Sequence, residues 1–228
     1  MDCRDIMARL KSHADPIAVE GMSRYGINPE FAYGISIPVL RGIAKEIGRD
    51  RRLAAKLWSS RVHEARILAG MIDDPARVTE QQMERWVRDF NSWDLCDQCC
   101  SNLFEKTPFA YRKAVEWSGR EEEFVKRAGF VLMARLAVSD KKAADARFER
   151  FFLYIRKGAS DERNYVKKAV NWALRQIGKR NRILNKKAIE TALEIRESGS
   201  SAARWIASDA LRELRSRAVA ERLKRKER

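Results

Sequence analysis

The stretch that decides the fold is YVKKAVNWALRQI, residues 165–177. Val166, Ala169, Val170, Ala173, Leu174 and Ile177 recur at i, i+3, i+4 and i+7, which draws one apolar stripe along an α-helix. That stripe must face a core. The surrounding segment, residues 163–189, holds nine Lys/Arg and no Asp or Glu. At 100° per residue, Trp172 lies about 130° from the centre of the stripe. Its neighbours on the helical wheel are Tyr165, Lys168, Arg175 and Lys179. Two readings of this indole are open. It packs against an adjacent helical layer, or it offers a flat surface for stacking or sugar contact, flanked by phosphate ligands.

Working outward, the same kind of helix recurs: VHEARILAGMI from Val62, SWDLCDQCCSNLF from Ser92, FVKRAGFVLMA from Phe124 and AARWIASDALREL from Ala202. Each is preceded by another amphipathic segment, and strand signals are nearly absent. The spacing of about thirty to forty residues is that of HEAT-like helical pairs. Breaks such as Gly48-Arg49-Asp50, Asp73-Asp74-Pro75 and Ser118-Gly119-Arg120 separate the helices. Asp74-Pro75, and Thr79 with Gln82, read as N-terminal caps. The fold class is therefore all-α: an α-α superhelix, or HEAT-like repeat solenoid. It is read as a single helical repeat domain over residues 1–228. One helix of each pair is expected to line a basic concave face. The tail RELRSRAVAERLKRKER reads as a last helix that frays into charge from about residue 217.

Composition limits the partner. The chain is long enough to bury a core without disulfide staples, and a 45% hydrophobic content places it among globular proteins. Net charge is +15 and uneven: residues 1–120 hold 19 basic and 17 acidic residues, residues 121–228 hold 28 and 15. A C-terminal half this basic points to a polyanion. A membrane surface is the weaker candidate, because no segment adds a bulky apolar face to its charge and no apolar run reaches the length of a span. The start, MDCRDIMARLKSHADP, lacks the apolar region of a signal peptide, so a cytoplasmic protein is expected; the sequence gives no oligomer signal, and a monomer is expected. Cys96, Cys99 and Cys100 crowd one helical turn, with no second CxxC and with His13 and His63 far away. They read as small apolar residues on a helix face, and neither a metal nor another cofactor is expected.

Two further groups of residues carry chemistry. On the helix after Ser92, Leu95, Cys96, Cys99 and Leu103 form the apolar stripe, and Asp97 lies about 140° from it. Trp93 is one turn earlier on the face of Asp97. A carboxylate beside an indole in a basic groove can oppose positive charge growing on a sugar; core packing and a salt bridge are the plainer readings. Lys126-Arg127 opens a helix that is apolar nearly all round. A buried Arg needs a partner, either an internal acceptor or a phosphate.

The ordered set of Met22-x-x-Tyr25, Gly34-Ile35-Ser36-Ile37-Pro38-Val39-Leu40-Arg41, Trp93-Asp94-x-x-Asp97, Lys126-Arg127-Ala128 and Lys168-Ala169-x-x-Trp172-x-Leu174-Arg175 resembles the AlkD-like DNA alkylation repair proteins, the HEAT-like-repeat DNA glycosylases. The resemblance implies a C-shaped stack of helical pairs that removes cationic N3- and N7-alkylpurines from double-stranded DNA. It implies Asp97 as the carboxylate near the anomeric carbon, and Trp93 and Trp172 against the deoxyribose. Arg127 and Arg175 would hold phosphates and Tyr25 would line the cleft. The stretch Gly26-Ile27-Asn28-Pro29 is less basic than the family pattern, and Lys126-Arg127 stands farther from the next motif than that pattern has it. No isolated lysine stands out as a Schiff-base nucleophile, so a monofunctional glycosylase is expected. Two alternatives stay open on the residues alone: a non-catalytic HEAT-like binder of nucleic acid, and a protein-scaffold solenoid.

Overall fold

The computed structural model describes residues 2–226, and among them every regular element is helical. In chain order the α-helices are α1 (Cys3–Ser12), α2 (Pro16–Met22), α3 (Ile37–Ile47), α4 (Arg51–Ser59), α5 (His63–Ile72), α6 (Glu80–Arg88), α7 (Trp93–Asn102), α8 (Ala110–Ser118), α9 (Glu123–Ser139), α10 (Asp145–Gly158), α11 (Asn164–Gly178), α12 (Arg182–Arg196), α13 (Ser201–Leu214) and α14 (Arg217–Lys226). Short 3₁₀ turns occupy Ser23–Tyr25 and Phe104–Lys106. The chain divides after Pro108 into two compact units.

Local chemistry sets the helix starts. Asp50, Thr79, Asn181 and Ser200 each accept a hydrogen bond from the backbone N–H three residues on, at Leu53, Gln82, Leu184 and Ala203. Each cap satisfies one of the amides that a helix N-terminus leaves unpaired. Thr79 thus caps α6 as its sequence predicts. Asp74-Pro75 instead forms a turn: Asp74 Oδ1 accepts from Ala76 N, an Asx turn, and no helix begins there.

In the first unit α4 packs on α5, and α3, α5 and α7 lie side by side. Trp58 of α4 and Trp86 of α6 stack with centroids 3.9 Å apart and planes 3° from parallel. Cys96, Cys99 and Cys100 are fully buried free thiols on the core side of α7, as small apolar residues would be.

In the second unit α8, α10 and α12 pack on α9, α11 and α13, and these last three lie side by side. The stripe of α11 faces the core: Val166, Ala169, Val170, Ala173, Leu174 and Ile177 are all fully buried. α9, lying between α8 and α11, is buried nearly all round, from Val125 to Ala137. The segment expected to fray is an ordered helix through Lys226, because Val219 and Leu223 of α14 are buried. Glu227 and Arg228 lie outside the described residues.

Close helix approach depends on glycine at one crossing in particular. A Cβ at Gly129 of α9 would lie 2.8 Å from Ser118 Cα of α8, a backbone that cannot yield as a side chain would. Gly129→Ala is expected to destabilise the protein by about 1–3 kcal/mol, read as a fall of several degrees in thermal midpoint. An unchanged midpoint would mean that α8 and α9 do not approach this closely.

Candidate nucleic-acid interface

In the first unit the site residues are set by the ends of α5 and α7. Glu64, the second residue of α5, is 1% exposed. It accepts backbone hydrogen bonds from Tyr33 (2.9 Å), Gly34 (2.7 Å) and Ile35 (3.2 Å). His63 N donates to Phe31 O at 3.0 Å, so the loop before α3 is sewn onto the start of α5. Gly34 has φ +76° and its Cα faces the Asp15 carbonyl, a place open only to glycine.

His63 in turn meets Asp94 of α7, with Nε2 to Oδ2 at 2.8 Å, and the Ser92 hydroxyl donates to Asp94 Oδ1 at 2.7 Å. Burial would raise the Asp94 carboxyl, but the His63 contact and the Ser92 bond outweigh it and hold the group below its ordinary value. This chain of contacts fixes the first turn of α7, where Trp93 begins. The Trp93 ring N–H donates to the Tyr25 carbonyl at 2.8 Å. Trp93 and Asp97 are both half-buried, neither sealed in the core nor fully in solvent. The Tyr25 side chain is 74% exposed. Burial pushes the Cys100 thiol up, aided by Cys96, Cys99 and the Asp97 carboxylate, so the Cys100 thiol is an inert neighbour of Asp97.

Sequence reasoning missed two backbone oddities beside this group. Phe31 (φ 59°) and Arg61 (φ 64°) both occupy the left-handed region, and the Arg61 guanidinium lies over the Phe31 ring at 5.4 Å. Two non-glycine residues in that region, one before α3 and one between α4 and α5, joined by a cation–π contact, mark two strained and specified connections that meet.

In the second unit α11 carries Lys168, Trp172 and Arg175, and Lys179 caps its C-terminus. Lys168 is exposed and Trp172 is half-buried. The indole is not locked in the interior. Arg175 and Lys179 are bound to α13: Arg175 Nη1 reaches Glu213 Oε2 at 2.7 Å and Asp209 Oδ2 at 3.4 Å, and Lys179 Nζ reaches Glu213 Oε1 at 2.5 Å. Asn171 Nδ2 donates to Asp209 Oδ2 at 2.6 Å. Lys167 lies over the Trp205 ring at 5.6 Å. Burial would lift the Glu213 carboxyl, but Lys179 and Arg175 outweigh it and keep the group below its ordinary value. Among the described residues Arg175 Nε and Asn171 Oδ1 are buried without a hydrogen-bond partner, an arrangement that a further polar ligand would relieve.

Lys126 and Arg127 take structural positions. Lys126 pairs with Asp161 at 2.9 Å. Arg127 is 5% exposed and donates from Nη1 to the Tyr165 carbonyl at 2.6 Å. The internal-acceptor reading of Arg127 is the one the geometry supplies, in place of an open phosphate ligand. Asp161 also receives Arg163, whose Nη1 reaches the Glu121 carbonyl at 2.6 Å, so the starts of α9 and α11 are clamped together. Lys126 and Arg163 hold Asp161 far below the ordinary carboxylate range, with Arg163 the larger influence.

Paired helices whose second members stand side by side define a helical-repeat protein of the HEAT-like kind. The profile of the DNA alkylation repair enzyme family matches residues 6–214, and the chain belongs to that family. A solved structure reported as "a new family of proteins related to the HEAT-like repeat DNA glycosylases with affinity for branched DNA structures" aligns with a TM-score of 0.77 at 21% identity, covering 94% of this chain and 96% of that one. It shares the fold. A designed armadillo repeat protein in complex with a (KR)4 peptide aligns over 81% of this chain and 88% of its own, with 14% identity and a TM-score of 0.37, too low to bear on this chain. No curated protein matches the sequence. Among the described residues no helix is long and apolar enough to cross a membrane.

The Asp94 carboxyl gives a pH test. Its folded value is depressed, so its contribution to stability is full above the unfolded value and is lost as pH falls through the folded value. Chemical denaturation of wild type and Asp94→Asn should show a stability gap at pH 7 that narrows as pH drops below about 4. A gap independent of pH would deny the ionised Asp94–His63 contact.

Proposed function

We propose that this protein is a monofunctional DNA glycosylase that hydrolyses the N-glycosidic bond of cationic N3- and N7-alkylpurines in duplex DNA. The observation that carries this reading is the half-buried Asp97 one turn from Trp93, on a helix whose start is fixed by the His63–Asp94 and Trp93–Tyr25 contacts. Membership of the DNA alkylation repair enzyme family supports it.

The chemistry needs few groups. An alkylated purine already bears positive charge, so it leaves with the bonding electron pair as a neutral base, without prior protonation. The deoxyribose C1′ then carries the positive charge, which the Asp97 carboxylate opposes. A water oxygen bonds to C1′, and its surplus proton passes to the carboxylate or to solvent. Hydrolysis of this kind calls for neither a metal nor a redox cofactor. Trp93 walls the sugar from water, and Tyr25 stands exposed beside it.

In the second unit Trp172 supplies a further indole, and Lys168 an exposed phosphate contact. Arg175 and Lys179 engage phosphate by sharing their donors with Glu213. Arg127 acts through α11, whose first turn it anchors. The protein works as a monomer, each unit adding contacts to the duplex. The branched-DNA affinity of the structurally similar protein favours a second reading, binding without excision.

Incubation of excess enzyme with methylated duplex separates the two. Wild type is expected to release free 7-methylguanine, and Asp97→Asn to lower the single-turnover rate by about 100-fold or more while keeping duplex affinity. No release by wild type would leave the binding reading alone. Equal rates for the two proteins would remove Asp97 from catalysis. Glu213→Gln releases Arg175 and Lys179 from their shared carboxylate and is expected to tighten binding to undamaged duplex about three- to tenfold at low salt; weaker binding would mean that Glu213 serves to aim them.

A further inference from the structure

Beyond the Trp172 face, the second unit contains a hollow of about 690 Å³ at the C-terminal ends of α9 and α11, covered on one side by α14. Its lining includes Lys141, Lys179, Arg180, Arg222 and Lys226, against one carboxylate, Asp145.

The protein itself uses only part of this charge. Lys226 Nζ donates to the Lys179 and Arg180 carbonyls at 2.9 and 3.0 Å, closing the end of α11. Arg180 donates to the Ala137 and Ala143 carbonyls at 3.2 and 2.8 Å and lies over the Phe148 ring at 4.1 Å. Asp145 accepts from Asn181 at 2.9 and 2.8 Å and stands 4.0 Å from Arg180. Lys141 and Arg222 are exposed and form no ion pair among the described residues. Burial lowers the Lys226 ammonium below its ordinary value, and Arg222, Arg180 and Lys141 lower it further. The cations of the hollow therefore repel one another, and an anion would relieve them.

We propose that this hollow is a second phosphate site, which takes a backbone phosphodiester of the same nucleic acid beyond the stretch that meets Trp172. Lys179 joins the two places: it lies seven residues, about 10 Å of helix, beyond Trp172 and about 20° from it on the wheel, and it also lines the hollow. Successive phosphates of one strand are about 6–7 Å apart, so a strand along α11 reaches the hollow within one or two nucleotides of the indole. Lys141 and Arg222 supply the unpaired charge, while Arg180 and Lys226 hold the walls.

The inference rests on the DNA reading above, so the test has two arms on the full chain. The first measures the affinity of an undamaged duplex against salt for wild type and for Lys141→Ala/Arg222→Ala, two exposed positions that leave the fold unchanged. Wild-type binding is expected to weaken steeply with salt, and the double variant to lower the slope of log affinity against log salt by about one to two. A steep wild-type slope that the double variant does not change overturns the second site and leaves the DNA reading standing. A flat wild-type slope overturns the DNA reading, and with it this proposal.

The second arm titrates inorganic pyrophosphate while following the thermal midpoint. The expected result is stabilisation of wild type that the double variant loses. Equal responses from the two proteins would show that Lys141 and Arg222 hold no phosphate, and would overturn the site independently of DNA.

Discussion

The interaction on which the rest depends is a carboxylate from one helix end holding the backbone at the start of a neighbouring element. Glu64 holds three successive amides at residues 33–35. In the second unit Glu162 accepts from the Ser201 hydroxyl at 2.6 Å and from Ala202 N at 3.1 Å, at the first turn of α13. Helix N-termini leave amides unpaired and carry partial positive charge, so a carboxylate there, as Glu162 is at α13, satisfies both demands, while buried Glu64 satisfies the loop amides that lead into α3. Each such contact fixes the register of one inner helix against the next. Trp172 sits on α11, which Glu162 precedes, and the start of α7, which carries Trp93 and Asp97, is held by the Asp94–His63 side-chain contact.

The second consequence is electrical. The segment from 163 to 189 has no acidic residue of its own, yet Arg175 and Lys179 are bound to Asp209 and Glu213 from α13. Asn171–Asp209 and Arg175–Glu213 each join residues 38 apart, one helical turn after another. An unpaired row of cations at close range would repel itself and cost stability. Carboxylates on the adjacent helix offset that repulsion and keep the guanidinium of Arg175 in a fixed orientation, with its Nε free of a partner among the described residues.

Much of the architecture was legible in the sequence because helical periodicity is local. The stripe from Val166 to Ile177 predicts its own burial, and Thr79 with Gln82 predicts its own cap. The position of Trp172 off that stripe also follows from the wheel, and the indole is half-buried as an off-stripe residue should be. What depends on two distant segments was not legible. The repeats share no crisp motif, so nothing in the sequence aligned Arg175 with Glu213 or Arg127 with the Tyr165 carbonyl. The tail misled for a related reason: its charge suggests fraying, whereas Val219 and Leu223, four residues apart on one face, find a buried surface.

The central claim is that nucleic acid is met by the faces carrying Trp93 and Trp172. Ultraviolet crosslinking of a methylated duplex to the protein, with the joined peptides mapped by mass spectrometry, tests it most directly. The account predicts crosslinks at Trp172 or Tyr165 in α11 and at Trp93 or Tyr25 in the first unit. Crosslinks confined to α10 and α12 would contradict it.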